Sequence, residues 1–155
     1  MIKNCMKRNV YSIPSTATIR EAAALIAERH IGLLPVLDEQ GKPLGVIRLA
    51  DLLSLELPAF FNLLSDVDFV HDFGAVETTR PTLEELEQSV MTLLQPRISV
   101  EETCGLLRAY ALMVKHSLHD LPVVSKNGTL VGIASRVDIG AAILSAWKTI
   151  SPDGS

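Results

Sequence analysis

With 155 residues, of which 48% are apolar and 21% charged, the chain reads as a globular one that can build one sizeable core or two small cores completing each other. A formal net charge of −4 removes the general electrostatic case for nucleic acid or an acidic membrane surface, and two cysteines, Cys5 and Cys104, are too few for a disulfide framework. No apolar run reaches the length of a membrane span and the N-terminus lacks the apolar stretch of a signal peptide, so a reducing cytoplasm is expected, without direct membrane insertion.

Along the chain, residues 10–13 form a short extended run stopped by Pro14. Thr18 and Glu21 have the spacing of a reciprocal capping box, and Ile19, Ala22, Ala23, Leu25 and Ile26 then follow at helical period. The helix is predicted to close near His30. Residues 34–37 read as a strand, 38–42 as a polar turn, 44–47 as the returning strand of a hairpin, and a second helix opens near Asp51. These elements make up a first unit, residues 1–56.

Residues 57–94 form a connector that carries a net −6, whereas each flank carries +1, so the connector alone makes the chain acidic. Its Phe60, Phe61, Phe69 and Phe73 read as anchors that pin it down or cover a dimer surface. Asp66, Asp68, His71 and Asp72 have no enforced ligand spacing, and no metal site is predicted. Thr82 and Glu85 repeat the capping-box spacing and open a helix toward Met91.

The second unit, residues 95–150, repeats the first. Residues 98–100 are its opening strand. A helix over 106–116 is expected to face inward with Leu107, Tyr110, Met113 and Val114. Strands over 121–124 and 130–134 flank the turn at 125–128. A closing helix over 137–147 is expected to bury Ile139, Ala142, Ile143 and Ala146.

The correspondence is ungapped at an offset of 87: Pro35 falls on Pro122, Gly41 on Gly128, Gly45 on Gly132 and Asp51 on Asp138. A period this long is a duplicated α/β unit and not a solenoid. Neither copy can cover both faces of its own sheet, so pairing the two is the economical solution. Equivalent clefts then lie between them.

The two Pro-Val strands, with Gly45-Val46-Ile47-Arg48-Leu49-Ala50-Asp51 and Gly132-Ile133-Ala134-Ser135-Arg136-Val137-Asp138, resemble the tandem cystathionine-β-synthase (CBS) domain pair. The resemblance covers nearly the whole chain. It implies an α/β (α+β) fold of two β-α-β-β-α units packed about a pseudo-twofold axis, and it implies a flat homodimer. It also implies a regulatory ligand in place of a catalytic cofactor: an adenine nucleotide (AMP, ADP or ATP) or S-adenosylmethionine.

The family's signature is Gly, two residues, Ser or Thr, two residues, Asp, and the second copy keeps it as Gly132, Ser135 and Asp138. On this resemblance Asp138 accepts hydrogen bonds from both ribose hydroxyls. Ser135, at the turn into a helix, meets a phosphate oxygen with help from Arg136. Gly132 lets backbone approach closely. The resemblance puts the adenine on the strand edge at Ile98, Ser99 and Val100, with His119, Asp120, Leu121 and Pro122 as the opposite wall. Asp138 and Ser135 can equally cap and close their own helix, and that alternative stays open. The first copy retains Ser12 and Asp51 but has Arg48 in place of the hydroxyl residue, so its site is expected to be weaker, altered or empty.

No histidine stands near a Ser or Cys with a supporting carboxylate in any recognised spacing, and His30 and His116 each stand at the end of the first helix of their copy. An enzyme is therefore not predicted. A nucleotide-sensing module acting on an unidentified regulated protein is the leading reading. A structural or protein-interaction module with a degenerate cleft is its alternative.

Overall fold

The computed structural model describes residues 1–57 and 80–152. Phe60, Phe61, Phe69, Phe73, Asp66, Asp68, His71 and Asp72 lie outside the described residues. In chain order the elements are β1 (Ile13–Pro14), α1 (Ile19–Arg29), β2 (Leu33–Leu37), β3 (Pro43–Arg48) and α2 (Leu49–Leu53). Next come α3 (Leu83–Leu86), a 3-10 turn (Val90–Leu93) and β4 (Gln95–Pro96). The second copy supplies β5 (Val100–Glu101), α4 (Leu106–Lys115), β6 (Asp120–Val124), β7 (Leu130–Ser135) and α5 (Arg136–Ala146). Each copy thus runs β-α-β-β-α. No helix among the described residues is long and apolar enough to cross a membrane.

Local chemistry explains most element ends. The Thr18 hydroxyl accepts from the Glu21 amide at 3.1 Å and the Glu21 carboxylate accepts from the Thr18 amide at 3.3 Å, closing the capping box of α1. Thr82 and Glu85 do the same for α3. That helix stops at Leu86, short of the predicted run to Met91, because Ser89 caps a separate 3-10 turn. The hairpin turns need left-handed backbone, which Gly41 (φ 80°) and Gly128 (φ 86°) provide. Among the described residues, His30 (φ 53°) and Ser117 (φ 54°) are the two other left-handed ones, and they are 87 apart. The counterpart of His30 in the repeat is therefore Ser117, one residue beyond His116.

In each copy the opening strand pairs parallel with the middle one (Ile13 with Val36, Val100 with Val123) and the hairpin strands pair antiparallel. The opening strands are only two residues long and begin later than predicted. The residues just ahead of them are used elsewhere.

Those leading segments are exchanged between the copies. Lys7 and Ile133 trade backbone hydrogen bonds at 2.8 and 2.9 Å, placing the start of the chain beside β7 of the second copy. Symmetrically, β4 pairs antiparallel with β3 of the first copy, Gly45 opposite Pro96. The exchange reaches the cores. Ile2 and Met6 pack with Val100, Met113, Leu121, Val123 and Ile139, whereas Val90 packs with Ile13, Ile26, Leu34, Val36 and Ile47. Complete burial of Ile2 is worth about 1.5–3 kcal/mol to the second copy's core. The two hairpin tips also meet, Leu130 donating to the Gly41 carbonyl at 3.0 Å.

The inward face of α4 keeps the predicted Tyr110 and Met113 but not Leu107 and Val114. Ala109 and Met113 are fully buried with Leu106 and Tyr110 beside them, but Leu107 and Val114 point outward. Residues 106, 109, 110 and 113 form one helical stripe, and 107 and 114 form another seven residues apart. On α5, Ile139 is fully buried, Ile143 packs against the core, and Ala146 is exposed.

Candidate functional site

A cleft of about 360 Å³ opens between the copies, a size at the lower end of small-molecule sites. One wall comes from the first copy: Lys7, Asn9, Val10 and Tyr11 ahead of β1, and His30, Ile31, Gly32 and Leu33 between α1 and β2. The other comes from the second copy: Asp120, Ile133, Ser135 and Asp138. The arrangement follows from the strand exchange. Pairing Lys7 with Ile133 carries the next residues, Asn9 to Tyr11, past the end of β7 where α5 begins. The Tyr11 ring is held by the Arg29 guanidinium, 4.8 Å from its centroid.

Ser135 and Asp138 serve both readings left open by their spacing. The Ser135 hydroxyl accepts from the Asp138 amide at 3.0 Å, and Asp138 Oδ2 accepts from the Ser135 amide at 3.0 Å. This is a capping box for α5. The same side chains line the cleft, and Oδ1 of Asp138 carries no hydrogen bond from the described residues. Burial pushes the neighbouring Cys5 thiol up, and the Asp138 charge adds to the effect.

The first copy's equivalent is closed by its own arginine. Asp51, only 9% exposed, accepts from the Arg48 amide and Nε at 3.0 Å each on one oxygen. Its other oxygen accepts from an Arg48 terminal nitrogen at 2.8 Å and from Gln95 Nε2 at 3.3 Å. Four hydrogen bonds saturate a carboxylate, so Asp51 has nothing left to offer a sugar. Ser12 lies half-buried beside β1 and does not line the 360 Å³ cleft.

Several residues expected with Asp138 stand elsewhere. Ile98 and Ser99 line a different hollow of about 440 Å³ with Pro43, Leu112 and Val124. Val100 and Leu121 are core side chains, and Pro122 is buried within β6. The exchange is the physical reason: it puts the first copy's leading segment, not the second copy's, against Asp138. Arg136 turns away from the cleft too. Its Nε donates to the Leu118 carbonyl and its terminal nitrogen to Met113 O at 3.4 Å, where a guanidinium suits the carbonyl-rich end of α4.

Gly132 also has another task. A Cβ there would collide with Met6 Sδ and sit 3.0 Å from the Lys7 carbonyl, and one at Gly45 would collide with the Gln95 carbonyl. Both signature glycines make room for the exchanged strand. Sequence reasoning missed Lys7 to Tyr11 and His30 to Leu33. A glycine in the middle of each returning strand was the available signal that another backbone passes close by.

Asp120 stands opposite Ser135 in the β6–β7 ladder. Burial pushes its carboxyl above the usual carboxylate range. His119 and Lys7 pull it down, and Asp138 adds to the rise. Among the described residues no group of three or more His, Cys, Asp or Glu is arranged to hold a metal ion.

A family model described as CBS domain matches residues 2–57 and 88–145. The chloroplastic CBS domain-containing protein CBSX1 of Arabidopsis thaliana is 29% identical over 143 residues, 89% of this chain and 61% of that protein. An uncharacterized protein of Methanopyrus kandleri is 29% identical over 133 residues, 86% of this chain and 57% of that protein. The chain thus spans about three fifths of the length of these relatives. Among solved structures, a CBS domain protein of Pyrobaculum aerophilum complexed with AMP superposes with a TM-score of 0.67 at 26% identity, covering 96% of this chain and 98% of that one.

Proposed function

The chain belongs to the CBS domain family, which it matches twice over, and from that premise we propose that it is a regulatory module binding an adenosine-bearing ligand in the Asp138 cleft. One observation carries the reading: Asp138 lines a ligand-sized cleft with one carboxylate oxygen uncommitted, whereas its repeat partner Asp51 is fully committed. AMP, ADP, ATP and S-adenosylmethionine share the ribose that such an oxygen can grip. The AMP complex of the Pyrobaculum aerophilum protein supports the same ligand class. Tyr11, Val10 and Ile31 supply ring and apolar surface for a base. Because the walls come from different copies, a bound ligand favours one relative orientation of the two, and a regulated partner reads that population shift. No chemical step is assigned to the module.

Isothermal titration with the four ligands tests this. Saturable binding of at least one, with one site per chain, is the expected result. The absence of saturation with all four at millimolar concentration contradicts it.

We also infer a homodimer through the outer faces of α4 and α5. Leu107, Val137, Leu144 and Trp147 are 72%, 76%, 53% and 61% exposed and line one apolar groove with Tyr110 and Ile143. Val137 and Leu144, like Leu107 and Val114, are seven residues apart, a helix-seam spacing. Light scattering should give twice the 16.8 kDa chain mass, and Leu144→Glu should give a monomer with an unchanged circular dichroism spectrum. A dimer that persists in the variant refutes this surface.

A further inference from the structure

Resting on that reading of the cleft, we propose that Asp120 is its specificity-determining residue: it admits adenosine ligands with a neutral or cationic 5′ substituent and opposes a phosphate chain. The placement comes from the ladder. Asp120 is directly opposite Ser135, and the Arg136 amide donates to the His119 carbonyl at 3.1 Å just beyond that pair. A pair flanked this way has the closer of the two antiparallel spacings, with Cα atoms about 4.5 Å apart and side chains on the same face. The carboxylate therefore stands beside the hydroxyl that would otherwise receive a phosphate.

Its surroundings offset its charge only in part: His119 and Lys7 pull the carboxyl down, but burial and Asp138 oppose them. Among the described residues the Asp120 side chain makes no hydrogen bond or ion pair, and Oδ2 lies 3.8 Å from where a Cβ on Gly32 would be. Of the basic side chains nearby, Lys7 lines the cleft, Arg29 is over Tyr11, and Arg136 is tied to carbonyls of the α4 end. A phosphate entering here meets two carboxylates, Asp120 and Asp138, against one lysine, Lys7, and the His30 imidazole. An amine or sulfonium at the 5′ position gains what the phosphate loses. The corresponding ladder pair in the first copy is Leu33 opposite Arg48, so this sign of charge belongs to the second copy alone.

The burial that raises the Asp120 carboxyl gives an independent readout. A group whose folded value is raised contributes stability in acid, and that contribution is lost as the pH climbs through the raised value. Ionising the carboxylate therefore opposes folding, so at a pH where Asp120 is ionised Asp120→Asn should melt higher than the parent without ligand. A residue kept for structure would instead melt lower when substituted.

The test titrates the full chain and Asp120→Asn with 5′-amino-5′-deoxyadenosine, adenosine, AMP and ATP at one pH and ionic strength. The parent should bind the amine most tightly and ATP least. The substitution should tighten AMP and ATP by about tenfold and weaken the amine by about as much, leaving adenosine unchanged. An equal shift for all four ligands, no shift, or a lower melting temperature overturns the role of Asp120. Failure of adenosine and the other three to bind either protein overturns the cleft reading itself, a result distinguishable from the first.

Discussion

Asp138→Ala is expected to lower the affinity for adenosine-bearing ligands by about a hundredfold. Each hydrogen bond from a ribose hydroxyl to a carboxylate is worth about 1.5–3 kcal/mol, and each 1.4 kcal/mol is a factor of ten. The cost to the fold is smaller and separate. Asp138 Oδ2 also accepts from the Ser135 amide, so its removal takes away half of the α5 capping box, a loss of about 1 kcal/mol. Asp138→Asn distinguishes the two contributions. It retains an acceptor for the Ser135 amide and should restore the melting temperature, while its single amide oxygen cannot also serve the sugar as a carboxylate does. Titration and thermal melting of both variants check this. Unchanged affinity in Asp138→Ala, with the protein folded, removes the assigned role.

Gly45→Ala is expected to cost about 3 kcal/mol by forced overpacking. Its Cβ would collide with the Gln95 backbone carbonyl and lie 2.7 Å from Leu94 Cγ, and the carbonyl is fixed by the β3–β4 pairing. Gly132→Ala occupies the same place in the signature but meets the flexible end of Met6 first, with the Lys7 carbonyl at 3.0 Å. Its cost should be nearer 1 kcal/mol. At this chain length, 1 kcal/mol corresponds to about 2–4 °C in melting temperature, so the two variants separate clearly in a thermal scan. Equal melting temperatures would mean that the exchanged strands are not what these glycines accommodate. Gly132→Ala should in addition weaken ligand binding, because the Lys7–Ile133 pairing positions the Asn9 to Tyr11 wall.

The contrast between these residues shows what the amino-acid order reveals. Repetition at an offset of 87, the Thr18–Glu21 box and the glycine turns are local or periodic signals, and each leads to the element observed. The partner of a two-residue strand is not a local signal. Nothing in Met6-Lys7 states that it pairs with Ile133, more than a hundred positions away, and without that pairing Ile98 to Val100 looks like the natural neighbour of Asp138. On α4, Tyr110 and Met113 face the core as expected while Leu107 and Val114 do not, for a different reason. Leu-Leu-Arg-Ala-Tyr-Ala-Leu-Met-Val-Lys is apolar on two faces, so periodicity alone cannot decide which of them the core receives. Arg136 illustrates a third limit. A cation beside a signature serine suggests phosphate, yet the carbonyls of Leu118 and Met113 are closer claimants. Arg48 was legible as a departure from the pattern, and the departure consists of an arginine that supplies three of the four hydrogen bonds on its own aspartate.

A crystal structure of the chain grown with adenosine tests the central claim most directly. The account predicts density between Tyr11 and Ser135, with the ribose hydroxyls within 3.2 Å of Asp138 Oδ1 as ordinary hydrogen bonds require. Density beside Ser99 and Leu112, with the Asp138 cleft filled only by water, would contradict it.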